Sequence, residues 1–411
     1  MTARRKKRAR RHQQAEAMPK AYAGRRRFIL LVFLAAASAL VARAVDQQIF
    51  EKDFLQSEGA DRYLDEVSVA AHRGAITDRN GVVLAMSAPV DSIAANPRLL
   101  RPDADTLEPL SRALDVSLDE LRRRLARYSH KHFVYLRRRM PPARARQVME
   151  VAREHGIQGL QRLREYRRYY PDGEIFAHVV GFTNVDEEGQ EGLELAFDEE
   201  LSGKPGLKRV LRDGRRQVVA DVESLRMPRA GKNLALSLDQ RLQYIAYREL
   251  KAAIGKHNAK AGSVVVMDAR TGEVLVMVNQ PGYNPNGDRN SRGGRLLNRA
   301  VTHVFEPGST MKPFVVAAAL DLGVVRPDSM VDTNPGFIKI GRHRIKDHDE
   351  LGVIDLRTLI QKSSNVGASR IALRLPAERF WEYLHALGFG NKTGSGYPGE
   401  VGGQLRPAAN W

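Results

Sequence analysis

The 411-residue chain contains no cysteine. That absence excludes disulfides, a cysteine nucleophile, iron–sulfur clusters and thiolate-bound zinc. It leaves the compartment open, because many exported proteins also lack disulfides. No internal repeat is visible, and the only biased segment is a basic arm at the start. Acidic residues are scarce there: residues 1–27 hold one, Glu16, against eleven Lys and Arg. What the chain does have is an apolar fraction of 43%, too high for a chain disordered throughout. Its length suits two to three domains and a sizeable core.

The formal charge of +18 invites a nucleic-acid reading, but residues 1–27 supply +10 of it. The rest is mildly charged for its length. Phe28 to Ala42 then runs for 15 residues without a charge, and the apolar stretch closes at Val45 beyond Arg43. Eighteen residues reach the short end of a membrane-spanning helix, and Arg43 can extend its charge to the interface. A dense basic block before an apolar span places the N-terminus in the cytoplasm. A buried core helix would not normally follow such a block. A cleaved signal peptide is the other alternative, since Ala42-Arg43-Ala44 mimics a cleavage site. The long basic region and the misplaced Arg43 favour an uncleaved anchor. The expected organisation is a basic cytoplasmic arm (1–27), a transmembrane anchor (28–45), a structural module (46–230) and a region of different texture (231–411). The bulk would lie outside the cytoplasm, away from nucleic acid.

Within 46–230 the pattern is mixed α/β and rich in Arg. Arg73 to Ala85 reads as two short strands around Asp78-Arg79-Asn80-Gly81, a hairpin signal in which both Asn and Gly tolerate positive φ. Leu107 to Tyr128 predicts a helix, with Leu110, Leu114, Leu118 and Leu121 at helical spacing. Pro141 to His155 predicts another. From Gly231 the spacing predicts a strand at Asn233–Leu238 and a helix at Arg241–Ile254 with Leu242, Ile245, Ala246 and Leu250 on one face. Two strands follow, Ser263–Ala269 and Glu273–Val278, then a loop from Pro281 to Arg295.

Chemistry concentrates at Glu306-Pro307-Gly308-Ser309-Thr310-Met311-Lys312-Pro313. Pro-Gly forces a turn, and Phe314 to Leu320 is apolar on all sides, as in a buried helix. Ser309 then sits at the helix start, with Lys312 one turn on and on the same face. Pro313 cannot donate to the Ser309 carbonyl, which is tolerable only near a helix start. A serine hydroxyl needs a base, and a desolvated lysine of lowered pKa can serve. The helix N-terminus adds a field and free amides for an oxyanion. Pattern alone is weak, since 19 Ser and 16 Lys give about 0.7 Ser-x-x-Lys matches by chance. Ser363-Ser364-Asn365 is a second candidate: a polar turn before the helix Ala368–Leu375, or a hydroxyl and amide aimed at Ser309. Lys392-Thr393-Gly394 lies among glycines and reads as a loop rather than a strand. His343, Lys346, Asp347, His348, Asp349 and Glu350 read as a solvated loop rather than a metal site. Tyr166, Tyr169 and Tyr170 among Arg164, Arg167 and Arg168 read as a partly exposed cation–π surface rather than a nucleic-acid platform.

Together these segments resemble a class B penicillin-binding protein, most closely the division-specific D,D-transpeptidases. The resemblance runs through Arg73–Ala85, Arg168–Gly173 with His178–Gly181, Gly189–Glu194, Leu238–Gln243, Tyr283–Asn286, Asn298–Ala300, Phe305–Pro313 and Gln361–Gly367. It implies an α+β chain: one transmembrane helix, a mixed α/β dimerisation-type pedestal, and the N-terminal part of a transpeptidase domain with an antiparallel sheet between helices. It implies that Ser309 attacks the penultimate D-Ala of a peptidoglycan stem peptide, with Lys312 as base, Ser363 as proton shuttle and Asn365 on the substrate amide. β-Lactams would acylate Ser309. No cofactor or metal is implied. The implied partners are the membrane, a polytopic septal glycosyltransferase and other division proteins, at a bacterial inner membrane with the bulk periplasmic. An elongation-type transpeptidase and a non-catalytic β-lactam sensor or division scaffold are the alternatives. The family's strand-borne Lys-Thr-Gly is not found up to Trp411, so an incomplete, inactive site is expected in this 411-residue chain.

Overall fold

The computed structural model describes residues 23–51, 64–100, 104–212, 218–287 and 295–411. Most of the basic arm, residues 1–22, lies outside the described residues. The chain forms two compact units, one containing 1–69 with 206–227 and the other 70–205 with 228–411.

In the first unit the apolar stretch is a helix, Ala23–Val45, longer at its start than the expected 28–45. Its large side chains, Phe28 to Leu34, all lie exposed. Among the described residues nothing in the unit covers them, as suits a helix facing lipid. Arg43 pairs with Asp46 at 2.5 Å where the helix passes into a wider turn. The strands Leu64–Val69, Gly206–Arg212 and Val218–Arg226 form an antiparallel sheet with the second of these in the middle.

The second unit begins with the expected hairpin, Ile76–Thr77 against Val83–Ala95. The Asp78 carboxylate accepts the Asn80 and Val82 N–H groups at 2.8 Å, and only Gly81 of the turn has positive φ, +82°. Asn80 therefore uses its amide, which reaches Asp239, rather than its tolerance of a left-handed backbone. Val83–Ala95 pairs antiparallel with both Val134–Met140 and Leu160–Tyr169. The predicted single helix over 107–128 is two, Ala104–Leu114 and Leu118–Arg127. Asp115 adopts φ 54° between them, and the Ser117 hydroxyl caps the second helix at Glu120 N–H. Leucine spacing ran through the break because both helices feed one core with Ile93, Leu136 and Val148.

Arg168 and Tyr170 do not belong to the expected partly exposed surface, because both are buried, whereas Arg164, Arg167 and Tyr169 are exposed. The Glu194 carboxylate, fully buried, takes Arg73 Nε at 2.8 Å on one oxygen and Arg168 Nε at 2.6 Å on the other. Arg73 also reaches Asp198 at 2.7 Å and the carbonyls of Glu187 and Glu194 at 2.9 Å. The Tyr170 hydroxyl accepts the Thr183 N–H at 3.0 Å. A lone alternation of Arg and Tyr could not show that its charged partner lay on a distant helix.

From residue 234 a short strand, Leu234–Ala235, runs parallel to Ile76–Thr77. Asp239 caps the helix Gln240–His257, which packs on the hairpin Gly262–Met267 and Val274–Gln280. That helix does not bury the stripe its sequence advertises: Leu242 and Ile245 are 43% and 48% exposed. It buries Gln243 instead, whose side-chain amide donates to the Ile175 and Met277 carbonyls and accepts the Met277 N–H. The helices Lys312–Asp321, Leu356–Gln361, Asn365–Ala372 and Ala377–Ala386 share a separate core around Ala318, Ala319, Leu359 and Ile371.

Removing Glu194 leaves two buried guanidiniums facing each other. Glu194→Ala is expected to cost about 3–5 kcal/mol of stability or to prevent folding. Chemical denaturation checks this, and a loss under about 1 kcal/mol contradicts it.

Candidate active site

Gly308 takes φ 57°, a conformation that costs glycine little, and opens a tight turn over Gly308–Met311. Ser309 belongs to this turn, immediately before the α-helix Lys312–Asp321, close to the helix start expected from sequence. Lys312 begins the helix, and its backbone N–H donates to the Ser309 carbonyl, the acceptor that Pro313 cannot serve. In such a turn residues three apart eclipse each other. Lys312 Nζ accordingly stands 3.1 Å from Ser309 Oγ. Val315, Val316, Ala318 and Ala319 then fix the helix in the core it shares with Leu359 and Ile371.

The same Nζ reaches across to the second segment. It lies 2.9 Å from Ser363 Oγ, 2.5 Å from the Ser363 carbonyl and 2.6 Å from Asn365 Oδ1. The four sequence-selected residues therefore meet at one nitrogen. Ser363 achieves this with φ 54°, a strained value for a residue with a side chain. Ser364, pointing the other way, is 1% exposed. Its hydroxyl caps the helix Asn365–Ala372 by accepting the Gly367 N–H at 2.9 Å. Ser-Ser-Asn is thus one outward-facing pair around an inward-facing cap.

Asp347 was not selected from sequence, and it holds this turn in place. Its Oδ2 accepts the Ser364 hydroxyl at 2.6 Å, and its Oδ1 accepts the Asn365 and Val366 N–H groups at 2.5 and 2.9 Å. A carboxylate at a helix N-terminus also matches the field there. The stretch read as a solvated loop is partly a strand, His343–Lys346, paired with Phe337–Ile340. Its last carbonyl, on Lys346, accepts Asn365 Nδ2 at 2.9 Å, so both ends of the Asn365 amide are fixed. Eighteen residues separate Asp347 from Asn365, and no local pattern links them. His348 and Asp349 do remain exposed.

Desolvation holds the Lys312 pKa below the ordinary lysine value of 10.5, and the Asp347 charge opposes that shift without cancelling it. An amine easier to neutralise, 3.1 Å from a serine hydroxyl, is arranged to take that proton. Ser309 itself is exposed. Lys392-Thr393-Gly394 is in a loop, where Thr393 gives its N–H and hydroxyl to Glu400.

Residues 262–411 match the penicillin binding protein transpeptidase domain, and residues 68–236 match the penicillin-binding protein dimerisation domain. The chain is 41% identical over 94% of its length to the probable peptidoglycan D,D-transpeptidase PenA of Neisseria meningitidis. It is 40% identical over 94% of its length to the peptidoglycan D,D-transpeptidase FtsI of Escherichia coli K12. It spans 66% of each of these relatives. A penicillin-binding protein PBP2, solved in complex with MreC from Helicobacter pylori, superposes with a TM-score of 0.67 at 27% identity. That match covers 84% of this chain and 69% of the other.

Asp347→Ala removes three hydrogen bonds from one helix end and strands a buried hydroxyl. It is expected to cost about 1–3 kcal/mol, with amide exchange accelerated at Asn365 and Val366 before the rest of the helix. Unchanged exchange at those two amides would show that the carboxylate does not hold the turn.

Proposed function

Because the chain belongs to the penicillin-binding D,D-transpeptidase family, we propose that the whole protein cross-links peptidoglycan stem peptides through a Ser309 acyl-enzyme during cell division. The observation that carries the reading is the convergence of Ser309, Ser363 and Asn365 on Lys312 Nζ. Neutral Lys312 takes the Ser309 proton as Oγ attacks the carbonyl of the penultimate D-Ala. The terminal D-Ala leaves as an amine, protonated from Lys312 through Ser363. Asn365, fixed by the Lys346 carbonyl, offers its amide to the substrate backbone. The amine of a second stem peptide then attacks the acyl carbon, and Ser309 regains its proton. A β-lactam enters the same first step and stays on Ser309.

The resemblance to division enzymes favours septal synthesis over the elongation alternative. On this reading the basic arm is cytoplasmic, the Ala23–Val45 helix anchors the chain in the inner membrane, and the two matched regions are periplasmic. The partners are a polytopic glycosyltransferase and other division proteins. The pedestal spans roughly residues 46–230 and the catalytic region begins near 231.

Ser309→Ala at the native locus should lower cross-linked muropeptides and block septation. It should also abolish fluorescent-penicillin labelling of this protein in native membranes. Retained labelling would reject Ser309 as the nucleophile. Lys312→Met should slow acylation about a hundredfold or more. The same penicillin applied to the 411-residue chain tests the expectation of an inactive site, which an adduct on Ser309 would overturn.

The acylation rate should depend on pH with a defined sign. The base works only when neutral, and burial lowers its pKa. The rate should therefore rise with pH and level off before the ordinary lysine range is reached. A rise continuing beyond pH 10.5 would contradict a depressed Lys312.

A further inference from the structure

Residues 96–170 carry 18 basic side chains against nine acidic ones, a net +9. That exceeds the +8 of everything beyond residue 27, so the Arg-rich part of the second unit holds all the positive excess outside the basic arm. Structural pairing does not use it up. A cavity of about 520 Å³ is lined by Arg137, Arg138, Arg139, Arg144 and Arg167, with Asp115 as its one acid. Arg138 is paired, with Glu165 at 3.0 Å and Asp186 at 2.9 Å, and Arg137 approaches Asp115 at 3.5 Å. The Arg144 and Arg167 guanidiniums have no partner among the described residues. Arg139 is held in the cavity wall with φ 59° while its N–H is fixed to Ser92 Oγ. Its guanidinium meets only the neutral carbonyls of Asn184 and Val185, and its buried Nε has no hydrogen-bond partner. Burial, and the repulsion of Arg138 and Arg167, pull its pKa down, and the charge of Glu187 opposes them without cancelling the shift. The helix Pro142–Glu154 also begins at this wall, without a side-chain cap.

We propose that this cavity is a binding site for a multiply charged oxyanion of the phosphate class, with Arg144 and Arg167 as its unpaired ligands and Arg139 beside them. Arginine forks match phosphate oxygens, and an open helix start adds amide donors and a favourable field. A compact concave wall suits a compact anion better than an extended acidic peptide. The anion can arrive free or on a lipid headgroup, and the chemistry is the same. The site is separate from Ser309 and does not depend on the transpeptidase reading.

The test is calorimetric titration of the full chain in non-ionic detergent with inorganic pyrophosphate and, in a second arm, a short-chain phosphatidic acid. Either ligand should bind with Kd below about 1 mM and more weakly at high salt. Binding of pyrophosphate alone assigns a free anion, and binding of phosphatidic acid alone a headgroup. Arg144→Gln/Arg167→Gln should weaken it at least about tenfold. Arg122→Gln/Arg153→Gln removes the same charge from exposed positions outside the cavity and should leave it unchanged. Both pairs are exposed, and their melting curves verify folding. Equal weakening by the two double variants, binding of neither ligand, or binding only of a polyglutamate peptide overturns the proposal.

Discussion

One carboxylate sets the geometry on which the site depends. Asp347 takes a hydroxyl from Ser364 and two backbone N–H groups from the start of the next helix. Those three bonds turn Ser364 inward and leave Ser363 and Asn365 with no direction but outward, toward Lys312. The left-handed Ser363 backbone is a local cost that the clamp and the Ser364 cap overcome. Lys312 in turn is placed by a tight turn whose hydrogen bond it makes itself. Two segments 51 residues apart thus meet at a nitrogen because each has its own local lock.

The electrostatics divide along similar lines. Where two guanidiniums are buried, one carboxylate serves both, and Arg73, Glu194 and Arg168 form a closed set. That arrangement holds the hairpin Ile76–Ala95 to the short helix bearing Glu194 and does no chemistry. Where guanidiniums stay partly open, around Arg139, Arg144 and Arg167, the charges are not matched. The contrast matters because buried Arg73 and Arg168 each have a carboxylate partner, while Arg144 and Arg167 have none among the described residues at a concave wall.

The sequence was informative wherever chemistry and local geometry coincide. Ser309 and Lys312 are three residues apart, so their meeting follows from one turn. Ser363 and Asn365 flank a helix cap, so their common direction follows from another. The hairpin at Asp78–Gly81 and the helix from Pro142 were legible for the same reason. The failures are all non-local. Asp347 acts on residues 17 and more positions away, and the helix break at Asp115 was hidden because leucines on both sides serve one core. The face chosen by the helix Gln240–His257 was decided by the Gln243 amide finding three backbone partners, which a hydrophobic stripe cannot reveal. Arg168 looked like surface until its distant carboxylate was known.

The lysine's setting shows how these pieces produce reactivity. Lys312 has four oxygens within 3.1 Å, and an ammonium has three protons to give. Those oxygens suit the charged form, while burial lowers the pKa with a larger effect than the Asp347 charge that raises it. The burial is partial, because Ser309, Ser363 and Asn365 are all exposed. A peptide laid over these three residues would remove the remaining water from Nζ. It would also draw the Asn365 amide onto its own backbone. Both changes lower the lysine pKa further, one by desolvation and the other by loosening an acceptor. On the proposed reading the amine is most fully neutral only when substrate covers it, which would couple proton transfer to correct seating.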